Sequence, residues 1–335
     1  MPIGVEATLT RSCLYRLNFV QTVFFLSILL NFAITGSGGP RAQEGTTTSS
    51  AQQTEQSADA SMHPYLDEPL KTLMKSVPEL KGIRPAADQQ ELPMILEKTG
   101  KEVDEFFDNA VDLVAHEEIR QERLGSLGFT TAHERVRDSY LILRHGNGTR
   151  ADFDEFRTDE EGNRLDQVGL ARGFLVTWGF ALISAHFSAG FQPDSSFRYL
   201  GDEIIAGRET YVVAFAQRPD KASYTITMKG PRGADAHILT QGIAWVDKKN
   251  FHIVRMRTDL LACQPYIGLE QQTTKVDFSE VQFTDVATPL WLPHDVNVFL
   301  KLGKYLDRPA EEFRNVHHYT DYRRYRVAVK MVAPQ

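Results

Sequence analysis

Apolar residues recur at helical spacing in two early stretches of the chain and at every second position through most of the remainder. Leu66, Leu70, Leu73, Met74 and Val77 fall on one helix face until Pro78 stops the run. A second run opens at Asp88, whose carboxylate caps a first turn with Glu91 three residues on. It continues through Leu92, Ile95, Leu96, Val103, Phe106, Phe107, Ala110 and Val114, which predicts a helix over 88–114. Its apolar face is broad and needs a large partner surface. From about residue 115 the two-residue period takes over and predicts strands at 133–144, 149–157, 196–205, 209–217, 223–229, 237–246, 251–261, 273–286, 291–301 and 316–331. Gly146, Asn147 and Gly148 join the first two as a hairpin, because a tight primed turn needs residues that tolerate positive φ. Short links at 206–207, 230–233 and 247–250 make neighbouring strands antiparallel, so the predicted class is α+β, an antiparallel meander packed on N-terminal helices.

Two segments stand outside this pattern. Residues 173–185, GFLVTWGFALISA, are apolar on all sides yet too short to span a bilayer. They read as a buried helix or central strand, or as an apolar element that lines or plugs a cavity. At the start, Arg11 and Arg16 precede an apolar stretch over 17–34 and the small residues Gly36, Ser37, Gly38 and Gly39, the three parts of an export signal. Removal is expected near Ala42 or Gly38. Cys13 lies upstream of the stretch and cannot serve as a lipidated N-terminal cysteine. Residues 44–63 are nearly all Thr, Ser, Gln, Ala and acids, too polar to offset the entropy of ordering, and read as a tether. The expected organisation is signal 1–43, linker 44–63, helical segment 64–114 and β domain 115–335, with a periplasmic or secreted location and no membrane span after cleavage.

Composition removes several classes of function. Taking away the signal's three arginines and one glutamate moves the net charge from −7 to −9, which disfavours nucleic acid and anionic headgroups as the main partner. Arg323, Arg324 and Arg326 are a local basic exception and read as solvated strand positions. Cys263 is the one cysteine beyond the signal, so no internal disulfide and no cysteine zinc cluster is expected.

The search for chemistry finds no catalytic or metal motif. His116, Glu117 and Glu118 begin like a zinc-protease helix, but Arg120 stands where the second histidine belongs. His317 and His318 are adjacent on a predicted strand and point to opposite faces, so they do not share a metal. Around Ser188 the string His186-Phe187-Ser188-Ala189-Gly190 lacks the first glycine of a nucleophile elbow. Asp152, Asp154, Glu155, Asp159, Glu160 and Glu161 match no calcium loop and read as a solvated hairpin end. No phosphate-binding glycine loop is present and no cofactor is expected.

Four segments have a familiar order: GDEIIAGRETYVVAFA from Gly201, GIAWVDKKNFHIVRMR from Gly242, TTKVDFSEVQF from Thr273 and LWLPHDVNVFL from Leu290. Over about 195–330 this grammar resembles the carrier proteins of the bacterial outer-membrane lipoprotein-sorting family. The resemblance implies an unclosed β-barrel, a strongly curved sheet around helices, with an apolar cavity for acyl chains. The helix from Asp88 is longer than such carriers need, and no cavity residue matches one to one. If sheet and helix close incompletely, Phe106, Phe107, Phe174, Trp178, Phe180, Phe187 and Trp245 are the expected apolar lining. The expected function is an exported, non-catalytic carrier-like protein for a hydrophobic ligand, a lipid or an acylated protein. The alternatives are a cell-envelope structural or interaction protein, and a hydrolase using Ser188 or the acids of 152–161.

Overall fold

The computed structural model describes residues 64–109, 112–145, 152–165, 177, 180, 182–223, 226–229, 235–286, 288–304 and 309–324. The expected signal and tether, the 146–148 turn, Phe174, Trp178 and Arg326 lie outside these. Helices α1 (Pro64–Asp67) and α2 (Leu70–Ser76) lead into a 3-10 turn, Pro78–Gly82, and then to α3 (Leu92–Asn109). Val77 closes α2 by donating its N–H to the Leu73 carbonyl at 2.7 Å, and Pro78 starts the new turn.

Among the described residues the strands are β1 (Arg84–Pro85), β2 (Leu113–Leu124), β3 (Thr130–His145), β4 (Asp152–Thr158), β5 (Ser195–Ile205), β6 (Arg208–Gln217), β7 (Ile226–Lys229), β8 (Asp235–Ile238), β9 (Thr240–Asp247), β10 (Ile253–Leu260), β11 (Leu269–Val281), β12 (Leu290–Leu302) and β13 (Glu311–Arg324). Eleven form one antiparallel sheet in the order β1-β5-β6-β9-β10-β11-β12-β13-β2-β3-β4, while β7 and β8 pair apart. The sheet does not close, since β1 and β4 stand at its two ends. The α+β class and the unclosed antiparallel meander are therefore as the sequence predicts.

Three boundaries differ. The long helix ends at Asn109, and Val114 belongs to β2, a strand that the two-residue period does not reveal. The predicted strand 237–246 is two strands in different pairings, broken at Leu239. Asp88 does not cap α3 itself: its Oδ1 accepts the Gln90 N–H at 2.9 Å in the turn before the helix.

Both faces of the central strands are covered. Tyr211, Val213 and Phe215 of β6, with Ala244 and Val246 of β9, point inward to the core that contains α3 residues Ile95, Val103 and Phe107. Their neighbours Val212, Ala214, Ile243 and Trp245 point outward under Tyr65, Leu73, Val77 and Leu80. The link from β4 to β5 must cross from one end of the sheet toward the other, and of the apolar run 173–185 its described residues Thr177, Phe180 and 182–185 are buried on the way. The rest of that run lies outside the described residues. Gly100 lets the 3-10 turn Ile183–Phe187 approach α3: a side-chain carbon there would meet Gln192 Nε2 at 2.6 Å and the Phe187 carbonyl at 3.0 Å. Gly201 has φ +143°, and a methyl there would collide with the Arg84 carbonyl of β1.

Candidate functional site

The inner face of the sheet divides into an apolar half and a polar half. On the apolar half, the C-terminal part of α3 leaves a partly open groove of about 200 Å³ against the ends of β10, β11 and β12. Val103 and Phe106 line it from the helix, and Ile253, Phe278, Leu290 and Trp291 from the sheet side. The helix periodicity that buries Val103 and Phe107 leaves Phe106 half-buried at the groove.

The rim is polar. His252 Nδ1 stands 3.6 Å from Glu102 Oε2, and its ring lies 5.4 Å from that of Trp291, which also carries the Arg208 guanidinium at 4.9 Å. Burial pushes the His252 pKa down; burial and the neighbouring Glu105 push that of Glu102 up. Both shifts work against an ion pair across the mouth. The volume of about 200 Å³ falls below the ~300–1,000 Å³ usual for small-molecule sites, so there is room for a small group only.

On the polar half, β13, β2, β3 and β4 place a charged cluster in the interior. Glu117 and Tyr319 face each other across β2 and β13, and Arg157 reaches over from β4. Glu117 is fully buried: Oε1 accepts from Tyr319 Oη at 2.7 Å, His317 Nδ1 at 2.8 Å and Arg157 Nη2 at 2.7 Å, and Oε2 accepts from Arg157 Nε at 2.5 Å. Arg157 also donates to the Thr177 carbonyl at 2.9 Å, and Thr177 Oγ1 lies 2.9 Å from His317 Nε2. Burial alone would raise the Glu117 pKa, but the Arg157 charge and the bond from His317 hold it down to about 2. Asp138, paired with Glu117 in register, is pushed up to about 6 by burial. Through Arg157 and His317, which bond Thr177 as well as Glu117, this cluster fastens Thr177 to the sheet.

Of the seven aromatic residues expected to line a pocket, Phe174 and Trp178 lie outside the described residues, and the other five are spread over different places. Phe106 lines the groove, and Phe107 packs 5.5 Å from it inside the core. Phe180 sits against His317, ring centroids 5.0 Å apart, and Phe187 against Phe197 and Phe215 at 5.3 and 5.7 Å, both fully buried. Trp245 is on the opposite face, its indole N–H bonded to Glu203 at 2.7 Å, and is separated from the others by the sheet. Ile253, Phe278, Leu290 and Trp291 are lining residues that the sequence pattern does not single out. It predicts their strands, but the alternation does not say which strand ends α3 leaves uncovered.

The hydrolase candidates are not assembled around Ser188. Its hydroxyl donates to Asp104 at 2.6 Å, while His186 Nε2 faces Thr240 at 3.2 Å. Of the acids at 152–161, Glu155 accepts the Tyr140 hydroxyl, and Asp159 holds the Asn163 N–H at 2.8 Å. As the alternation requires, His317 is buried inside and His318 half exposed outside. Among the described residues no helix is long and apolar enough to cross a membrane.

No family model and no curated protein matches the sequence. Solved structures do resemble the fold. A DUF1329 family protein from Desulfovibrio piger is 11% identical, with a TM-score of 0.35 over 72% of this chain and 95% of its own. A putative outer membrane lipoprotein-sorting protein domain from Vibrio parahaemolyticus is 12% identical, with a TM-score of 0.34 over 68% and 91%. A LolA superfamily protein from Nitrosomonas europaea is 12% identical, with a TM-score of 0.31 over 70% and 94%. Identities and TM-scores this low assign neither a family nor a role to the chain.

Proposed function

We propose that the protein is an exported, non-catalytic carrier-like module that holds the apolar end of a lipid or an acylated protein in the groove between α3 and β10–β12. The observation that carries this reading is the groove itself: a partly open pocket with apolar walls and a polar rim between α3 and the ends of β10, β11 and β12. Export is part of the proposal and rests on the tripartite start of the chain, with residues 1–43 removed and 44–63 as a tether. The acidic balance fits a ligand recognised by its hydrocarbon.

The direct test is lipid extraction and mass spectrometry of the purified protein, followed by displacement of a fluorescent fatty acid. Val103→Phe, which adds bulk to the groove wall without touching the polar cluster, is expected to weaken fatty-acid binding about tenfold or more, worth ~1.4 kcal/mol. Absence of copurified lipid together with no saturable fatty-acid binding would remove the reading.

A second reading rests on a different observation. The turn between β2 and β3 presents Leu127 and Phe129 at 82% and 74% exposure. An envelope protein docking there predicts a stoichiometric complex that the Leu127→Ser, Phe129→Ser double variant fails to form. Equal complex yield from variant and parent in quantitative pull-down ends that reading.

A further inference from the structure

We propose that His294, Asp295 and His318 form a binding site for one borderline divalent transition-metal ion, the chemistry of Zn²⁺, on the outer face of β12 and β13. This site is independent of the groove and of the carrier reading. It arises from register. Asp295 and His318 are direct cross-strand partners, so their side chains share the outer face. The pairing of β12 with β11 shifts between Asp277 and Phe278, which leaves His294 without a partner there. The extra residue of such a bulge re-aims its side chain, and His294 comes alongside Asp295 instead of on the face opposite to it.

The result is one carboxylate claimed by two imidazoles. His294 Nδ1 lies 2.7 Å from Asp295 Oδ2, and His318 Nδ1 lies 2.7 Å from Asp295 Oδ1. The rings meet edge to face, centroids 4.7 Å apart at 89°. One donor atom from each residue falls within 4.8 Å of the other two, the only such group among the described residues.

The surroundings set Asp295 apart from its neighbours in the same outer row. Asp277, opposite it on β11, is neutralised by Arg255 at 2.5 Å, and Glu118, opposite His318 on β2, by Arg137 at 2.9 Å and Arg135 at 3.3 Å. Asp295 has imidazoles in place of a guanidinium. Partial burial works against its charge, yet the bonds from His318 and His294 hold its pKa below the usual carboxylate range.

Two imidazole nitrogens and one carboxylate oxygen are the donor set of zinc, copper or nickel, and not of calcium or magnesium, which take oxygen cages. Metal–ligand lengths of ~2.0–2.2 Å put tetrahedral donors about 3.4 Å apart, between the 2.7 Å of the present hydrogen bonds and the 4.8 Å that bounds the three donor atoms, so shifts of about 1–1.5 Å assemble the set. The three side chains are 43%, 43% and 47% exposed, which allows that movement and leaves the remaining coordination position to water. The ion takes the place of the hydrogen bond from each Nδ1 to the carboxylate, and a neutral imidazole then carries its proton on Nε2.

The experiment is calorimetric titration of the tag-free full chain with Zn²⁺, with Mg²⁺ and Ca²⁺ as controls. The expected result is a 1:1 event with zinc alone, accompanied by a rise in thermal midpoint and weakened about tenfold or more by His294→Ala, by His318→Ala and by Asp295→Asn. Because all three side chains are partly exposed, the variants keep the apo midpoint, which circular dichroism checks. Exposed Cys263 is the competing ligand, and Cys263→Ser is expected to leave the event intact. Absence of a 1:1 event, or one that survives in the His294→Ala, His318→Ala double variant, overturns the site.

Discussion

Replacing Glu117 by leucine is expected to destabilise the protein by about 3–5 kcal/mol, the cost of stranding a buried charge, out of a total of roughly 5–15 kcal/mol for a typical domain. Three side chains depend on this carboxylate. Arg157 loses both of its bonds to Glu117, and His317 and Tyr319 lose the oxygen they share. Arg157 keeps the Thr177 carbonyl at 2.9 Å and its place over the Tyr140 ring at 5.7 Å, neither of which supplies the negative charge of the carboxylate it loses. Combining Glu117→Leu with Arg157→Met removes that buried guanidinium, so the double variant is expected to recover about half of the loss despite carrying two changes. The remainder belongs to His317 and Tyr319, each left short of a partner at about 1–3 kcal/mol. Urea unfolding of the four proteins in the cycle measures this. Strictly additive losses would mean that the pair is not coupled, and the role assigned to the cluster would fail.

The same cluster explains which part of the fold is hidden in the sequence. A strand with one buried face reads as alternating apolar and polar residues. In β2 the inward positions are Leu113, Ala115, Glu117, Ile119 and Gln121, and two of the five are polar. With the alternation interrupted, Val114 merges into the preceding helical period. Elsewhere the inward residues are apolar, and the period places strands such as β6, β10 and β12 to within a few residues. The opposite orientations of His317 and His318 are legible because they depend on local geometry alone. Their partners are not. Glu117 comes to His317 from 200 positions away, and His294 meets His318 only because of a register shift that a single strand's sequence does not disclose.

Topology hides the site in a similar way. The order of strands puts β4 at one end and β5 next to the other, so the link between them crosses the inner face, where its described residues Phe180, Leu182, Ile183 and Phe187 fill much of the space. The groove lies at the edge of this filling, with Ser184 of the crossing among its lining residues beside Phe106 and Trp291. Trp245 shows the complementary error. Its strand is apolar on both faces because α1 and α2 cover the outside, so alternation gives no sign of which side it joins.

Acid is expected to unfold the protein progressively from about pH 6.5 downward, with His186 responsible for a full proton of the slope. His186 is enclosed between Phe215, ring centroids 4.5 Å apart, and Thr240, and burial pushes its pKa from 6.5 down to about 3. The unfolded chain binds a proton at about 6.5, whereas the folded protein does not until about 3. Stability is therefore complete above the unfolded value and falls at ~1.4 kcal/mol per pH unit through the interval between. Burial shifts His317 the same way. Glu117, lowered from 4.5 to about 2, joins the loss only below about 4.5, where the unfolded carboxylate takes up its proton first. Asp138 opposes this loss: with its folded pKa pushed up from 3.8 to about 6, it takes up its proton first in the folded state, so the histidine-driven fall is partly offset below about 6 and steepens beneath about 4.5. In His186→Gln, which keeps a hydrogen-bonding side chain for Thr240 but cannot titrate, the upper slope is expected to drop by ~1.4 kcal/mol per pH unit. Urea unfolding at pH 7, 6, 5 and 4 reads it directly. A variant that tracks the parent's slope across that range would show that His186 is reached by water and protonated in the folded state, contrary to the enclosure described.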